Sequence, residues 1–184
     1  MSTGSDVLGA RVRPRRRARV VGVVAGVKVK GSPVPKDRAA SVLLASEGRA
    51  FTPASIALAA DLARAADGTV HVLSIARVHG VAFGLQAPGL IPTKAEWDEQ
   101  REIVHRAVAR LRRRGLRAEG QVLGTRKPAQ RICALAGELG SGAIVMGADP
   151  PRGRLIRGML WSQEPQGVER RSKVPVHLAI EEPS

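Results

Sequence analysis

The chain has 184 residues, 43% of them hydrophobic, and a formal charge of +14. Such a length suits one domain, since domains run about 100–200 residues, and one cysteine, Cys133, excludes an internal disulfide. No apolar run approaches the roughly 20 residues needed to span a bilayer.

The core must be aliphatic. There is no Tyr, and the aromatics are Phe51, Phe83, Trp97 and Trp161. This argues against recognition of single-stranded nucleic acid, which uses aromatic stacking platforms. The charge is uneven. Residues 1–40 hold ten Lys/Arg and two acids, Asp6 and Asp37. A basic arm of this kind can touch nucleic acid or an anionic surface, or be a solvated tail. "RPRRRARVVGVVAGV" mimics a signal peptide, but "KVKGSPVPKD" follows where a small-residue cleavage site would stand. A reducing, cytoplasmic setting is the expectation.

In chain order, residues 1–38 read as a basic, disordered extension closed by the linker "GSPVPKD", and 39–184 as the domain. "RVVGVVAGVKV" has strand composition broken by two glycines and reads as a stray strand or none, outside the five-stranded sheet. "SVLLAS" (41–46) is a continuous apolar strand. A helix follows, with Thr52 as cap, Pro53 in the first turn and Gly68 at its end. "TVHVLSIARV" (69–78) is the second strand. "HGVAFGLQAPGLIP" (79–92) is a loop of the kind that lids a site or covers a dimer surface. Thr93 and Glu96 form a capping box for a helix closed by Gly115, with Trp97, Ile103, Val104, Val108 and Leu111 as its apolar stripe. "LRAEGQVLG" (116–124) is strand three, and Pro128 starts the next helix. "GAIVMG" (142–147) is strand four, "SQEPQGVERRS" a short helix and "VPVHLAI" (174–180) strand five.

Strands alternating with helices predict an α/β fold, an open five-stranded parallel sheet with helices on both faces. Continuous apolar strands agree with a sheet covered on both sides. In such sheets ligands bind beyond the carboxyl ends of the strands. Those ends include "ASEG" (45–48) and "MGADPPRG" (146–153).

From "SVLLASEGR" through "GTRKPAQRI" and "IVMGADPPRGRLIRGMLWSQ" to "KVPVHLAI", residues 41–180 resemble the universal stress protein family. The resemblance implies a Rossmann-like domain in stress response that binds and regulates rather than catalyses, with slow ATP hydrolysis as a third reading. Nucleotide-binding members carry a G-x2-G-x9-G-[S/T] loop and an Asp at the end of strand one. Glycines there let backbone N–H groups approach phosphates at a helix N-terminus. Here the first glycine matches Gly147. Pro150 stands at the second, with Gly153 the nearest replacement. Ser162 and Gln163 stand where the family has Gly then Ser or Thr, and Glu47 replaces the Asp.

By resemblance, the adenine would lie near Ala45, Ser46 and Ile75, the ribose near Met146 and Gly147, and the phosphates near Gly153, Arg154 and Ser162. Pro150 and Pro151 lack N–H donors. Each lost charged hydrogen bond costs about 1.5–3 kcal/mol, so ATP or AMP is expected to bind weakly or not at all. Arg152, Arg154 and Arg157 offer bidentate replacements. No metal is expected beyond nucleotide-bound Mg. The resemblance also implies a homodimer through the last strand and a protein partner of unknown identity. The alternative is association with nucleic acid or an anionic surface through the basic arm. His71, His79, His105 and His177 lack metal-ligand spacing, and Cys133 reads as a structural thiol.

Overall fold

A computed structural model describes residues 20–24, 27–30, 41–77, 92–148 and 164–180. Strands β1 (Val20–Val24), β2 (Val27–Lys30), β3 (Ser41–Ser46), β4 (Thr69–Arg77), β5 (Arg117–Thr125), β6 (Ala143–Ala148) and β7 (Val176–Ile180) form one sheet. Its order is β1-β2-β7-β6-β3-β4-β5. The helices are α1 (Pro53–Ala65), α2 (Lys94–Arg113), α3 (Pro128–Glu138) and α4 (Glu164–Arg171).

The five strands from β3 to β7 pair in parallel and are those read from the sequence. β3 is buried on both faces, so it reads as an unbroken apolar run rather than an alternation. Its period-two geometry still sorts the side chains. Val42 and Leu44 join α1 and α2 with Ile56, Ala60, Val104 and Leu111. Leu43 and Ala45 join α3 and α4 with Ile132, Leu135, Ile144 and Val168. Two apolar layers therefore sandwich the sheet. Burial at about 25 cal/mol per Å² of apolar surface makes these layers the dominant stabilising contribution.

Helix ends follow local chemistry. Thr52 caps α1, its hydroxyl accepting the Ser55 N–H at 3.1 Å. The Thr93–Glu96 capping box is formed. Gly115 adopts φ 78° and closes α2. At the end of α1 the left-handed residue is Asp67, at φ 49°, rather than Gly68. The Gly68 N–H instead reaches the Ala63 carbonyl at 2.8 Å, and Asp67 N–H reaches Arg64 at 3.2 Å. This is a Schellman closure with Asp at the position glycine usually fills.

The sheet is wider than five strands. β1 and β2 form an antiparallel hairpin, and β2 runs antiparallel to β7 with Lys28 opposite Ile180, Val29 opposite Ala179 and Lys30 opposite Leu178. "VPVHLAI" therefore does not lie at the sheet's edge, as the five-strand order alone would place it. The physical reason is local. Two valine-rich runs separated by two residues, the second a glycine, can return on themselves as a hairpin.

Candidate functional site

At the carboxyl ends of β3 and β6, opposite the start of α1, lies a cleft of about 170 Å³. Ala45, Ser46, Glu47, Arg49, Ala50, Phe51, Thr52, Ser55, Gly147 and Ala148 line it. Its wall is a tight turn after β3. The Ser46 hydroxyl donates to the Arg49 carbonyl at 2.6 Å and accepts the Arg49 N–H at 2.9 Å. Gly48 sits inside this turn at φ 106°, and a Cβ there would lie 3.0 Å from the Ile75 carbonyl oxygen. Both the conformation and the close approach require glycine.

The turn is tied to the rest of the fold by Gln100 of α2. Its Nε2 donates to the Gly48 carbonyl at 3.0 Å, while its Oε1 accepts from the Ser74 hydroxyl at 2.6 Å. Gln100 and Ser74 are both buried. This clamp was not among the residues picked out from the sequence. A signal was present: Gln100 stands on the stripe of Ile103, Val104, Ala107, Val108 and Leu111, at the spacing of one buried helix face.

Glu47 brings a carboxylate into the cleft with its side chain only 3% exposed. The Arg49 guanidinium, itself half-exposed, lies 2.9 Å from Oε1. An ion pair of this kind offsets the desolvation of the carboxylate only if its remaining lone pairs are also satisfied. Gly147 forms the opposite wall. Among the described residues, a Cβ there would meet Thr52 Cγ2 alone, at 3.8 Å, an ordinary contact. Packing therefore makes no demand for glycine at this position, and its bare backbone leaves the cleft open.

Of the residues expected from resemblance, Ala45, Ser46, Glu47 and Gly147 come together around the cleft. Ile75 and Met146 do not line it. Both are fully buried, in the apolar layer under α3 and α4. Central parallel strands are covered on both faces, and these side chains point into the layer rather than over the strand ends. Gly153, Arg154, Ser162 and Gln163 lie outside the described residues, as do Arg152, Arg157, Trp161 and residues 79–91.

The remaining titratable groups are separate from the cleft. Cys133 is half-buried, and burial pushes its thiol above the ordinary value, opposed by the nearby Arg171 charge. Its Sγ lies 3.7 Å from the Val168 carbonyl, a packing contact. His177 on β7 is buried, and burial pulls its imidazole below the usual value. Among the described residues its Nε2 has no hydrogen-bond partner. Also among the described residues, no group of three His, Cys, Asp or Glu could hold a metal ion, and no helix is long and apolar enough to cross a membrane.

The architecture is similar to that of solved proteins. A universal stress protein from Archaeoglobus fulgidus superposes with a TM-score of 0.58 at 21% identity, over 76% of this chain and 92% of that one. A universal stress protein from the same organism, in complex with dAMP, gives 0.57 at 21% identity, over 76% and 96%. A universal stress protein in complex with cAMP gives 0.54 at 20% identity, over 78% and 97%. At these identities the likeness speaks for the fold. Among curated proteins, none matches the chain. A model of the universal stress protein family matches residues 41–179, which span β3 to β7 and both walls of the cleft. The chain belongs to the universal stress protein family.

Proposed function

We propose that the protein is a binding and regulatory module whose cleft takes the nucleoside end of an adenine nucleotide, weakly, and takes AMP no less well than ATP. The observation that carries this reading is the open wall at Gly147, where among the described residues no packing contact needs a glycine. It faces Ser46 and Glu47 across a space that holds a ring-sized group but not a whole nucleotide. At about 170 Å³ the cleft is smaller than the roughly 300–1,000 Å³ of small-molecule sites. The buried Glu47 carboxylate and the Arg49 guanidinium paired with it present a polar wall to the amino and hydroxyl groups of a ligand.

Phosphate contacts would fall to the segment that follows β6 in sequence. Its sequence carries Pro150 and Pro151 where the family's cradle offers N–H donors. This loss lowers the gain from extra phosphates, and any Mg would arrive with the nucleotide. Binding rather than turnover fits the polar groups present. The hydroxyls of Ser46 and Ser55 donate to backbone carbonyls, and among the described residues no histidine lines the cleft.

Relatives in complex with dAMP and with cAMP lend this reading support. Calorimetric titration with AMP, ATP and cyclic AMP tests it. Dissociation constants of about 10 μM or more, or roughly −7 kcal/mol or weaker, are expected. Sub-micromolar ATP affinity would show that Arg152, Arg154 and Arg157 compensate for the prolines. No heat with any of the three would remove the nucleotide from the proposal.

A further inference from the structure

The parallel core, β5-β4-β3-β6-β7, ends at β7. Val176, His177, Leu178 and Ala179 in this strand are all buried. A straight apolar edge strand exposes a row of unpaired N–H and C=O groups and readily takes a strand from another molecule. Here that row is taken by the chain itself. β2 pairs along β7 through residues 28–30, and β1 folds over β2. The hairpin precedes the family's matched span, so it is an addition to the common core.

We propose that the β1–β2 hairpin is a built-in edge cap: it occupies the β7 ladder that a second copy of this chain would otherwise use, and so holds the protein as a monomer while it is docked.

Three features fit a cap. First, it replaces a vulnerable edge with a poor one. β1 has five residues, and its register slips between Val20 and Gly22, an irregularity of the kind that blunts edges. Second, the sequence before Val20 holds Arg11, Arg13, Arg15, Arg16, Arg17 and Arg19. Two copies meeting through β1 would bring two such runs together, and like charges repel. Third, the cap is releasable. Among the described residues, three residue pairs join β2 to β7. A two-stranded hairpin is marginal on its own, so docking on β7 and hairpin formation stand or fall together. A second copy and the hairpin therefore compete for one row of backbone groups.

The test uses the full chain. In an antiparallel ladder successive residues present their backbone groups to opposite neighbours, so Lys28→Pro with Val29→Pro removes a donor from both sides of β2. Sedimentation velocity should give a monomer for the wild type and a two-fold higher mass for the proline variant. Hydrogen exchange at the β7 amides reports release in any monomeric sample, since a second copy on β7 would protect them again. A second variant, Lys28→Cys with Ile180→Cys in a Cys133→Ser background, locks the hairpin down when oxidised. It should stay monomeric at every concentration. A released hairpin, with fast-exchanging β7 amides and unchanged mass, overturns the proposal. So does a dimer in the oxidised, locked variant. Should the proline variant lose its cooperative thermal transition, the locked variant decides alone.

Discussion

Gln100 and Gly48 are 52 residues apart in sequence, yet the side-chain amide of one donates to the backbone carbonyl of the other at 3.0 Å. With Ser74 bonded to the same amide, this clamp fixes the cleft wall against α2 and β4. Gln100→Leu should leave the Ser74 hydroxyl and the Gly48 carbonyl without that partner in a buried setting. A loss of about 1–3 kcal/mol per unsatisfied group is expected. Chemical denaturation would measure it. Gln100→Glu should also destabilise, because a carboxylate cannot donate to the Gly48 carbonyl. A variant as stable as the wild type would mean that the turn after β3 stands without the clamp.

Gly120 on β5 predicts a second cost. A Cβ there would lie 2.3 Å from Val104 Cγ1 and 2.9 Å from Val108 Cγ2 of α2. Valine has one strongly preferred rotamer in a helix, so neither side chain can turn aside cheaply. Gly120→Ala should therefore lose about 1–3 kcal/mol, the usual range for overpacking. Adding Val104→Ala should recover part of that loss, because it vacates the nearer contact. Strictly additive losses in the double variant would place the strain elsewhere.

The five parallel strands were legible because each is a compact apolar run bounded by turn residues. The α2 boundaries were legible because Thr93, Glu96 and Gly115 state them chemically. Gln100 was overlooked because a polar residue on an amphipathic helix usually faces water, and only its register marks it as buried. The hairpin was missed because β1 and β2 are short and draw their pairing from β7, far along the chain. Ile75 and Met146 entered through family resemblance. Both side chains are buried in the apolar layer under α3 and α4.

Acid sensitivity should come in part from His177. Burial lowers its pKa in the folded state, so the folded protein resists the proton that the unfolded chain accepts. The contribution is complete above the unfolded value of about 6.5 and declines as pH falls from there toward the lowered folded value. For one proton the slope cannot exceed about 1.4 kcal/mol per pH unit. Replacing His177 with Leu should flatten the stability profile between about pH 6.5 and 5, above the range where carboxylates titrate. An unaltered profile in that variant would assign the acid sensitivity to other groups.

Gly147 separates the needs of folding from those of the cleft. Its Cβ position has an ordinary 3.8 Å contact with Thr52 Cγ2, and its φ lies outside the left-handed range. Gly147→Ala should therefore fold normally. Removing backbone freedom from the unfolded chain should even add about 0.4–1 kcal/mol. The new methyl nevertheless enters the opening between β6 and α1, toward Thr52. If AMP seats its nucleoside there, the variant should bind it at least tenfold more weakly, a change of about 1.4 kcal/mol. Thermal melting and calorimetry on the same samples separate the two effects. Unchanged affinity with unchanged stability would move the ligand out of this cleft. A large drop in melting temperature would instead give Gly147 a structural role that its surroundings do not display.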